Sequence, residues 1–248
     1  MTLLAFFKEN PKAALGFSGG VDSSYLLYAG VQAGADIHPY YIKTAFQPQF
    51  ELDDAERLCA QLGVTLTVLE LDVLKNEAVT ANPPDRCYHC KTALFGALSA
   101  QALADGYTLL LDGTNASDDA DDRPGMRALK ELHVCSPLRE CGLTKAEIRR
   151  LSREASLFTW DKPAYACLAT RIPSGDAITA EKLLATERAE AFLFSLGLTD
   201  FRVRNYHGAA RLQFPEAQLN AVLAHRAEIL QELKKDYPAV LLDLEVRG

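Results

Sequence analysis

Hydrophobic positions along the chain form short continuous runs that alternate with stretches of helical spacing. Leu3 to Asn10 has helical spacing, and Ala13-Ala14-Leu15-Gly16-Phe17 is a short apolar run of the kind found in buried strands. Tyr25 to Ala33 reads as a helix with Gly34 placed to end it. Ile37 to Lys43 is a second strand, Leu52 to Leu62 a helix stopping at Gly63, and Val64 to Leu69 a third, β-branched strand. Val73 to Val79 and Cys87 to Ala104 read as helices, and Thr108 to Leu111 as a fourth buried strand. Helices follow at Gly125 to Leu132 and Thr144 to Ala155, the second opening on a capping box of Thr144 and Glu147. Strands alternating with helices predict an α/β fold, a parallel sheet sandwiched by helices.

The pattern changes after Ala155. Phe158 to Gly175 has prolines and few periodic positions, and reads as a linker or active-site loop. A long helix from Thr179 to Leu196 follows, then Phe201 to Asn205, Arg211 to Phe214, a helix through Leu233 and Val240 to Val246. These predict a small C-terminal α+β domain with an antiparallel sheet. The expected division is 1–157 for the first domain, 158–177 for the loop, and 178–248 for a substrate-binding or oligomerisation domain.

Composition narrows the class. The 248 residues are 48% hydrophobic and 24% charged, which excludes a disordered or fibrous chain. No apolar run approaches the roughly 18 residues that span a bilayer, so no membrane association is expected. The start is broken by Lys8 and Glu9 and lacks a basic region, so it does not read as a signal peptide. The expected location is the cytoplasm, with the six cysteines as reduced thiols suited to metal, cluster or catalytic roles. The net charge of −7 repels nucleic acid, so a small-molecule partner is expected rather than RNA or DNA.

The chemistry concentrates in a few segments. Ser18-Gly19-Gly20-Val21-Asp22-Ser23-Ser24 joins the first strand to a helix. Glycines there let the backbone approach a phosphate, and helix N–H groups favour an anion. Asp22 opposes that logic unless it holds Mg²⁺. The loop lacks the Walker and dinucleotide signatures. It resembles the PP-loop of the N-type ATP pyrophosphatases, which implies ATP cleaved between its α and β phosphates. The acidic loop after the fourth strand, with Gly113, Thr114, Asp118 and Asp119, also leaves a carboxyl end, so the two loops are expected to face one nucleotide. Asp118 or Asp119 is a candidate Mg²⁺ ligand.

Cys87 and Cys90 fall at i, i+3 in the first turn of a predicted helix, between Arg86 and Lys91. They supply two ligands where a closed zinc site needs four. Cys167 is the third candidate, with Arg171 nearby to stabilise a thiolate or a phosphate. Three thiolates can hold a 4Fe–4S cluster with one iron open; alternatively Cys167 is a single nucleophile and the pair is structural. Cys59 reads as a core residue, and Cys135 and Cys141 rank below the first three.

The PP-loop, Asp85-Arg86-Cys87-Tyr88-His89-Cys90-Lys91, the Gly113-Thr114-Asn115-Ala116 loop with Arg123-Pro124-Gly125, Cys167-Leu168-Ala169-Thr170-Arg171 and Phe201-Arg202-Val203-Arg204 occur in this order. Together they resemble the LarE family, ATP-dependent sulfur transferases that make the nickel-pincer nucleotide cofactor of lactate racemase. The resemblance implies adenylation of a carboxylate of pyridinium-3,5-biscarboxylic acid mononucleotide and its conversion to a thiocarboxylate. It implies sulfur delivery by a 4Fe–4S cluster on Cys87, Cys90 and Cys167 or, in another branch, by Cys167 itself, which becomes dehydroalanine. It also carries Glu190, Arg202 and Arg204 as candidate substrate, phosphate or metal contacts, and implies a homo-oligomer, trimer or hexamer, working with other nickel-pincer biosynthesis enzymes. Alternation independently puts Arg202 and Arg204 on one side of a strand, where two guanidiniums suit a phosphate. A tRNA thiolase of the same superfamily is the main competing reading, and the charge weighs against it.

Overall fold

The computed structural model describes residues 1–118 and 124–247; Asp119 and Arg123 lie outside the described residues. In chain order the elements are α1 (Leu3–Glu9), β1 (Lys12–Gly16), α2 (Val21–Gln32), β2 (Asp36–Lys43), α3 (Gln49–Leu62), β3 (Thr67–Glu70), α4 (Glu77–Thr80), α5 (Arg86–Ala104) and β4 (Leu110–Leu111). They continue as α6 (Pro124–Glu131), α7 (Pro137–Glu140), α8 (Lys145–Glu154), α9 (Ala180–Ser195), β5 (Arg202–Tyr206), β6 (Ala209–Gln213), α10 (Leu219–Ala224), α11 (Arg226–Leu233) and β7 (Val240–Leu242). Short 3₁₀ turns cover Val73–Lys75, Phe158–Asp161, Leu168–Arg171 and Glu216–Gln218. Among the described residues no helix is long and apolar enough to cross a membrane.

The chain divides into two compact units, Met1–Val73 with Asp85–Lys162, and Leu74–Pro84 with Pro163–Gly248. The first unit holds a parallel sheet in the order β3-β2-β1-β4. Central β1 is buried on both faces, with Ala13, Ala14 and Leu15 at most 1% exposed. Ala13 and Leu15 join a core with Phe7, Leu26, Leu27, Leu58 and Ile148 from α1, α2, α3 and α8, and with Leu157 just beyond α8. Ala14 turns the other way, onto Tyr40, Leu98, Ala102 and Leu110. Strict alternation in β1 thus divides the covering helices between two faces, as the pattern predicts. Removing the bulk of one such buried side chain, Leu58→Ala for example, costs about 2–5 kcal/mol.

The glycine loop leaves the end of β1 and the acidic loop leaves the end of neighbouring β4. Leu111 continues into a parallel bridge with Cys135, so the chain beyond α6 returns to the same end of the sheet.

The second unit is built on β5-β6-β7. Strands β5 and β6 form an antiparallel hairpin with Arg202 opposite Gln213 and Arg204 opposite Arg211. The expectation of an antiparallel sheet is corrected at β7, which runs parallel to β6, Ala210 facing Val240. The helical return between them reverses the chain once more. That return is two helices, because His225 ends α10 and starts α11 outside helical geometry. Val203, Leu212 and Phe214 pack with Leu193, Val222, Ile229 and Leu233 in a second core. Residues 74–84 belong here because their hydrogen bonds do: Ile178 donates to the Thr80 carbonyl at 2.8 Å and Gly175 to that of Asn82 at 2.8 Å. Asn82, buried and in the left-handed region at φ 54°, donates its amide to the Pro173, Asp176 and Ile172 carbonyls.

Candidate active site

Gly19 takes φ +68°, and a Cβ there would lie 3.1 Å from the Glu51 carbonyl and 3.3 Å from Ala55 Cα. Only glycine makes that turn against α3 without displacing it. Gly20 starts α2 without a side-chain cap, so the amide end of the helix is presented by the loop itself. Hydroxyls hold its shape: Ser18 and Ser23 Oγ atoms lie 3.1 Å apart, Ser23 Oγ donates to the Gly20 carbonyl, and the Gly20 amide donates to Ser18 Oγ. Val21, Ser23 and Ser24 are buried, which fixes the first helical turn.

Asp22 is half-buried at the start of α2. Its Oδ2 meets Lys145 Nζ at 2.5 Å, and its Oδ1 is buried without a hydrogen-bond partner. Burial pushes this carboxyl above the usual range; Lys145 opposes the shift and Asp118 adds to it. An orphaned carboxylate oxygen beside a helix amide end fits a cation delivered with a nucleotide.

Lys145 was not among the sequence candidates. It opens α8, whose capping box of Thr144 and Glu147 is present as predicted. A lysine in the first turn of a helix opposes the helix dipole, and that misfit was the available signal. Lys162 is a second missed cation, 2.6 Å from Asp54 Oδ2 and 3.4 Å from the Gly19 carbonyl. Arg149, one turn along α8 from Lys145, holds the Trp160 and Lys162 carbonyls at 2.7 and 2.8 Å. These side chains bring positive charge to a loop that an acidic chain would otherwise keep from phosphates.

The acidic loop folds on itself. The carboxylate of Asp112 accepts from the Thr114 amide and hydroxyl and from Ser136 Oγ, the last at 2.6 Å. Asp118 Oδ2 accepts from the Asn115 amide at 3.0 Å, and Arg139 donates to the Asp118 carbonyl. A Cβ on Gly113 would lie 2.9 Å from the Ser23 amide nitrogen. The two carboxyl-end loops therefore touch, backbone to backbone, at Gly113 and Ser23.

Cys87 is exposed and Cys90 half-buried, both in the first turns of α5, whose N-cap is Asp85. Arg86 Nη2 lies 3.8 Å from Cys87 Sγ. Tyr88 between them donates to Glu131 at 2.7 Å and stacks under Arg127 at 3.7 Å, pinning this turn to α6. Cys59 is a core thiol, pushed up to about 12 by burial, and burial also raises Cys135 and Cys141. Those three are held as protonated packing groups. Among the described residues no three His, Cys, Asp or Glu side chains converge as metal ligands.

In the second unit the structure places Arg171 and Glu190 against each other. Both are fully buried, joined by two contacts of 2.8 and 3.0 Å. Arg171 also donates to the Ala166 carbonyl and Thr170 Oγ1, each at 2.8 Å. Glu190 accepts further from the Tyr165 hydroxyl and the Val203 amide. Arg171 and Glu190, both candidates from the sequence, thus neutralise each other's charge. Burial works against the Arg171 charge, and the Glu190 contacts outweigh it, raising its pKa. Arg202 and Arg204 lie on the face of β5 opposite the core, as alternation predicts, and reach the Ala164 and Thr170 carbonyls at 2.7 and 3.0 Å. Burial and the nearby Arg171 and Arg247 bring Arg202 down to about 10.

A parallel sheet with a Ser-Gly-Gly-x-Asp-Ser loop after β1 defines the PP-loop class of ATP-using enzymes. The family model described as queuosine biosynthesis protein QueC matches residues 12–83, the segment from β1 into the region after β3. The chain is 30% identical, over 98% of its length and 89% of the relative, to the pyridinium-3,5-bisthiocarboxylic acid mononucleotide synthase of Lactiplantibacillus plantarum. It is 38% identical, over 98% and 92%, to an uncharacterized protein of Synechocystis sp.. The tRNA-specific 2-thiouridylase MnmA of Thermotoga maritima is 23% identical over 59% of this chain and 52% of its own. The chain belongs to the LarE family of PP-loop sulfurtransferases, the family of the Lactiplantibacillus synthase.

Proposed function

We propose that this protein activates a ring carboxylate of a pyridinium mononucleotide with ATP and converts it to a thiocarboxylate, a step of nickel-pincer cofactor synthesis. The observation that carries the reading is the similarity, over 98% of the chain, to a synthase named for that product. The phosphates of ATP bind at Ser18 to Ser24 and against Gly113 and Thr114, with Lys145 and Lys162 supplying positive charge. Asp22, through its unpartnered Oδ1, and Asp118 would hold Mg²⁺, which when bound offsets phosphate charge. A substrate carboxylate oxygen attacks the α-phosphorus. The bond from that phosphorus to the bridging oxygen breaks, and pyrophosphate leaves with the electron pair. A sulfur nucleophile then attacks the acyl carbon, and AMP leaves with the second pair.

Cys87, Cys90 and Cys167 are the thiols assigned to sulfur delivery. As thiolates they would hold a 4Fe–4S cluster, which when bound carries an added sulfide on its open iron. Two thiols one helical turn apart at the start of α5 fit two of those ligands. In the second reading Cys167 supplies its own sulfur: Sγ forms the thioester, the Cα proton is lost, the Cβ–Sγ bond breaks and dehydroalanine remains. Iron and acid-labile sulfide content after anaerobic isolation separates the two, together with the mass of the Cys167 peptide after one turnover. The protein acts as a cytoplasmic homo-oligomer beside the other enzymes of that synthesis, with no nucleic-acid partner. Pyrophosphate release is expected with the pyridinium biscarboxylic mononucleotide and not with unmodified tRNA. Release with tRNA alone would turn the assignment to RNA thiolation.

A further inference from the structure

Four charged side chains of the second unit converge on the loop that carries Cys167. Every contact below lies within that unit. Arg202 Nη2 donates to the Ala164 carbonyl at 2.7 Å. The Tyr165 hydroxyl donates to Glu190, and the Tyr165 ring lies under the guanidiniums of Arg171 at 4.6 Å and Arg202 at 5.4 Å. Arg171 Nη1 donates to the Ala166 carbonyl at 2.8 Å and, longer, to that of Cys167 at 3.5 Å. Thr170 Oγ1 donates to the Cys167 carbonyl at 2.8 Å and accepts from Arg171 at 2.8 Å. Arg204 Nη1 donates to the Thr170 carbonyl at 3.0 Å. Carbonyls on both sides of Cys167, those of Ala164, Ala166 and Thr170, are therefore turned onto one charged set.

The set itself is anchored. Glu190 projects from α9 and also accepts from the Val203 amide of β5 at 2.9 Å. Arg204 is fixed by Gln213 of β6, and Gln213 by Asp243 at 2.8 Å. A buried arginine with a carboxylate on two of its nitrogens and backbone carbonyls on the third cannot turn without stranding a charge. The loop lies between Pro163 and Pro173, and its own backbone bonds are those of the short 3₁₀ turn at Leu168–Arg171, so it has no sheet ladder to hold it. Charged side chains do what a sheet would otherwise do.

We propose that Arg171, Glu190, Arg202, Arg204 and Tyr165 are positioning residues that brace the 164–170 loop and hold the Cys167 thiol half-buried in one orientation. The functional meaning of this brace rests on the reading of Cys167 as a sulfur-carrying thiol; the brace itself does not.

Arg171 and Glu190 are poor test positions, because removing either leaves a buried unpaired charge and risks the fold. Tyr165→Phe removes one hydroxyl and keeps the ring, and Arg204→Met removes the tie to Thr170 while keeping a long apolar side chain. Iodoacetamide labelling of Cys167, read by mass spectrometry on its own peptide, is expected to speed up about fivefold or more in each, the loss of one hydrogen bond. The thermal midpoint should stay close to that of the parent, and sulfur transfer should lose kcat while the KM for ATP holds. Labelling rates that match the parent in both variants would overturn the brace, as would a KM rise with kcat unchanged. Cys167→Ala with full sulfur transfer would instead bring down the assignment of the thiol and leave the labelling result standing.

Discussion

The proposed function gives the Asp22–Lys145 ion pair a larger part in the reaction than it has in the fold. The pair is partly solvated, with side-chain exposures of 21% and 34%, so it contributes less than about 1 kcal/mol to stability. The same lysine is the nearest cation to an aspartate whose other oxygen has no partner. Lys145→Met is therefore expected to leave the thermal midpoint almost unchanged and to slow pyrophosphate release about 100-fold, the usual cost of losing one preorganised electrostatic contact. A stopped assay of pyrophosphate release checks it; release at the parental rate would mean that Lys145 is only a surface partner of Asp22. The glycine loop was legible in the sequence because its residues are contiguous. Lys145 was legible only as a lysine misplaced in a first helical turn, and its partner, 123 positions away, was not legible at all. Arg171 and Glu190 were each singled out in the sequence, but their pairing was not, because 19 positions of loop and helix separate them.

At the scale of elements, β1 to β4 and their helices were legible because burial on one or both faces writes its period directly into the sequence. What the period could not report is how the sheet's amino end is tied together. There His38 Nε2 meets Thr67 Oγ1 at 2.8 Å, joining β2 to β3, and its ring packs 4.7 Å from Tyr40 and 5.5 Å from Tyr107. Tyr40 donates to Asp105 at 2.7 Å and Tyr107 to Asp36 at 2.9 Å, tying in the end of α5. Burial, followed by the Asp36 hydrogen bond, pushes Tyr107 up to about 12, so it remains a donor at any physiological pH. Burial pushes His38 below the ordinary histidine range, and Asp105 and Asp36 pull back only in part. A histidine that binds its proton less readily folded than unfolded stabilises the fold fully above its unfolded value of about 6.5. That contribution is lost as the pH falls through the unfolded value toward the lower folded one. The thermal midpoint is expected to drop between about pH 7.5 and about pH 5.5, and His38→Gln to flatten that part of the curve. Parallel curves for the two proteins would remove His38 from the account.

Over the whole molecule, the glycine loop and Cys167 belong to different compact units, and the division between the units is not the one a linear reading draws. Residues 74–84 leave their sequence neighbours for the second unit because Thr80 and Asn82 find backbone partners at 172–178, a pairing with no periodic signature. The acidic balance of −7 coexists with local cations, Lys145 and Lys162 in the first unit and the arginines of β5 in the second, so the charge that weighs against RNA does not weigh against a small anion. In the proposed function adenylation draws on the loop, Asp22, Lys145 and Lys162 of the first unit, and sulfur transfer on Cys167 of the second. The two half-reactions should therefore separate. Cys167→Ala is expected to release pyrophosphate at the parental single-turnover rate and to form no thiocarboxylate. It removes a half-buried thiol and leaves the backbone ties of its loop in place. Quenched-flow measurement of pyrophosphate and mass spectrometry of the pyridinium product read the two steps on one sample. Loss of both steps together would show that adenylation waits on the thiol, and the division of labour between the units would have to be given up.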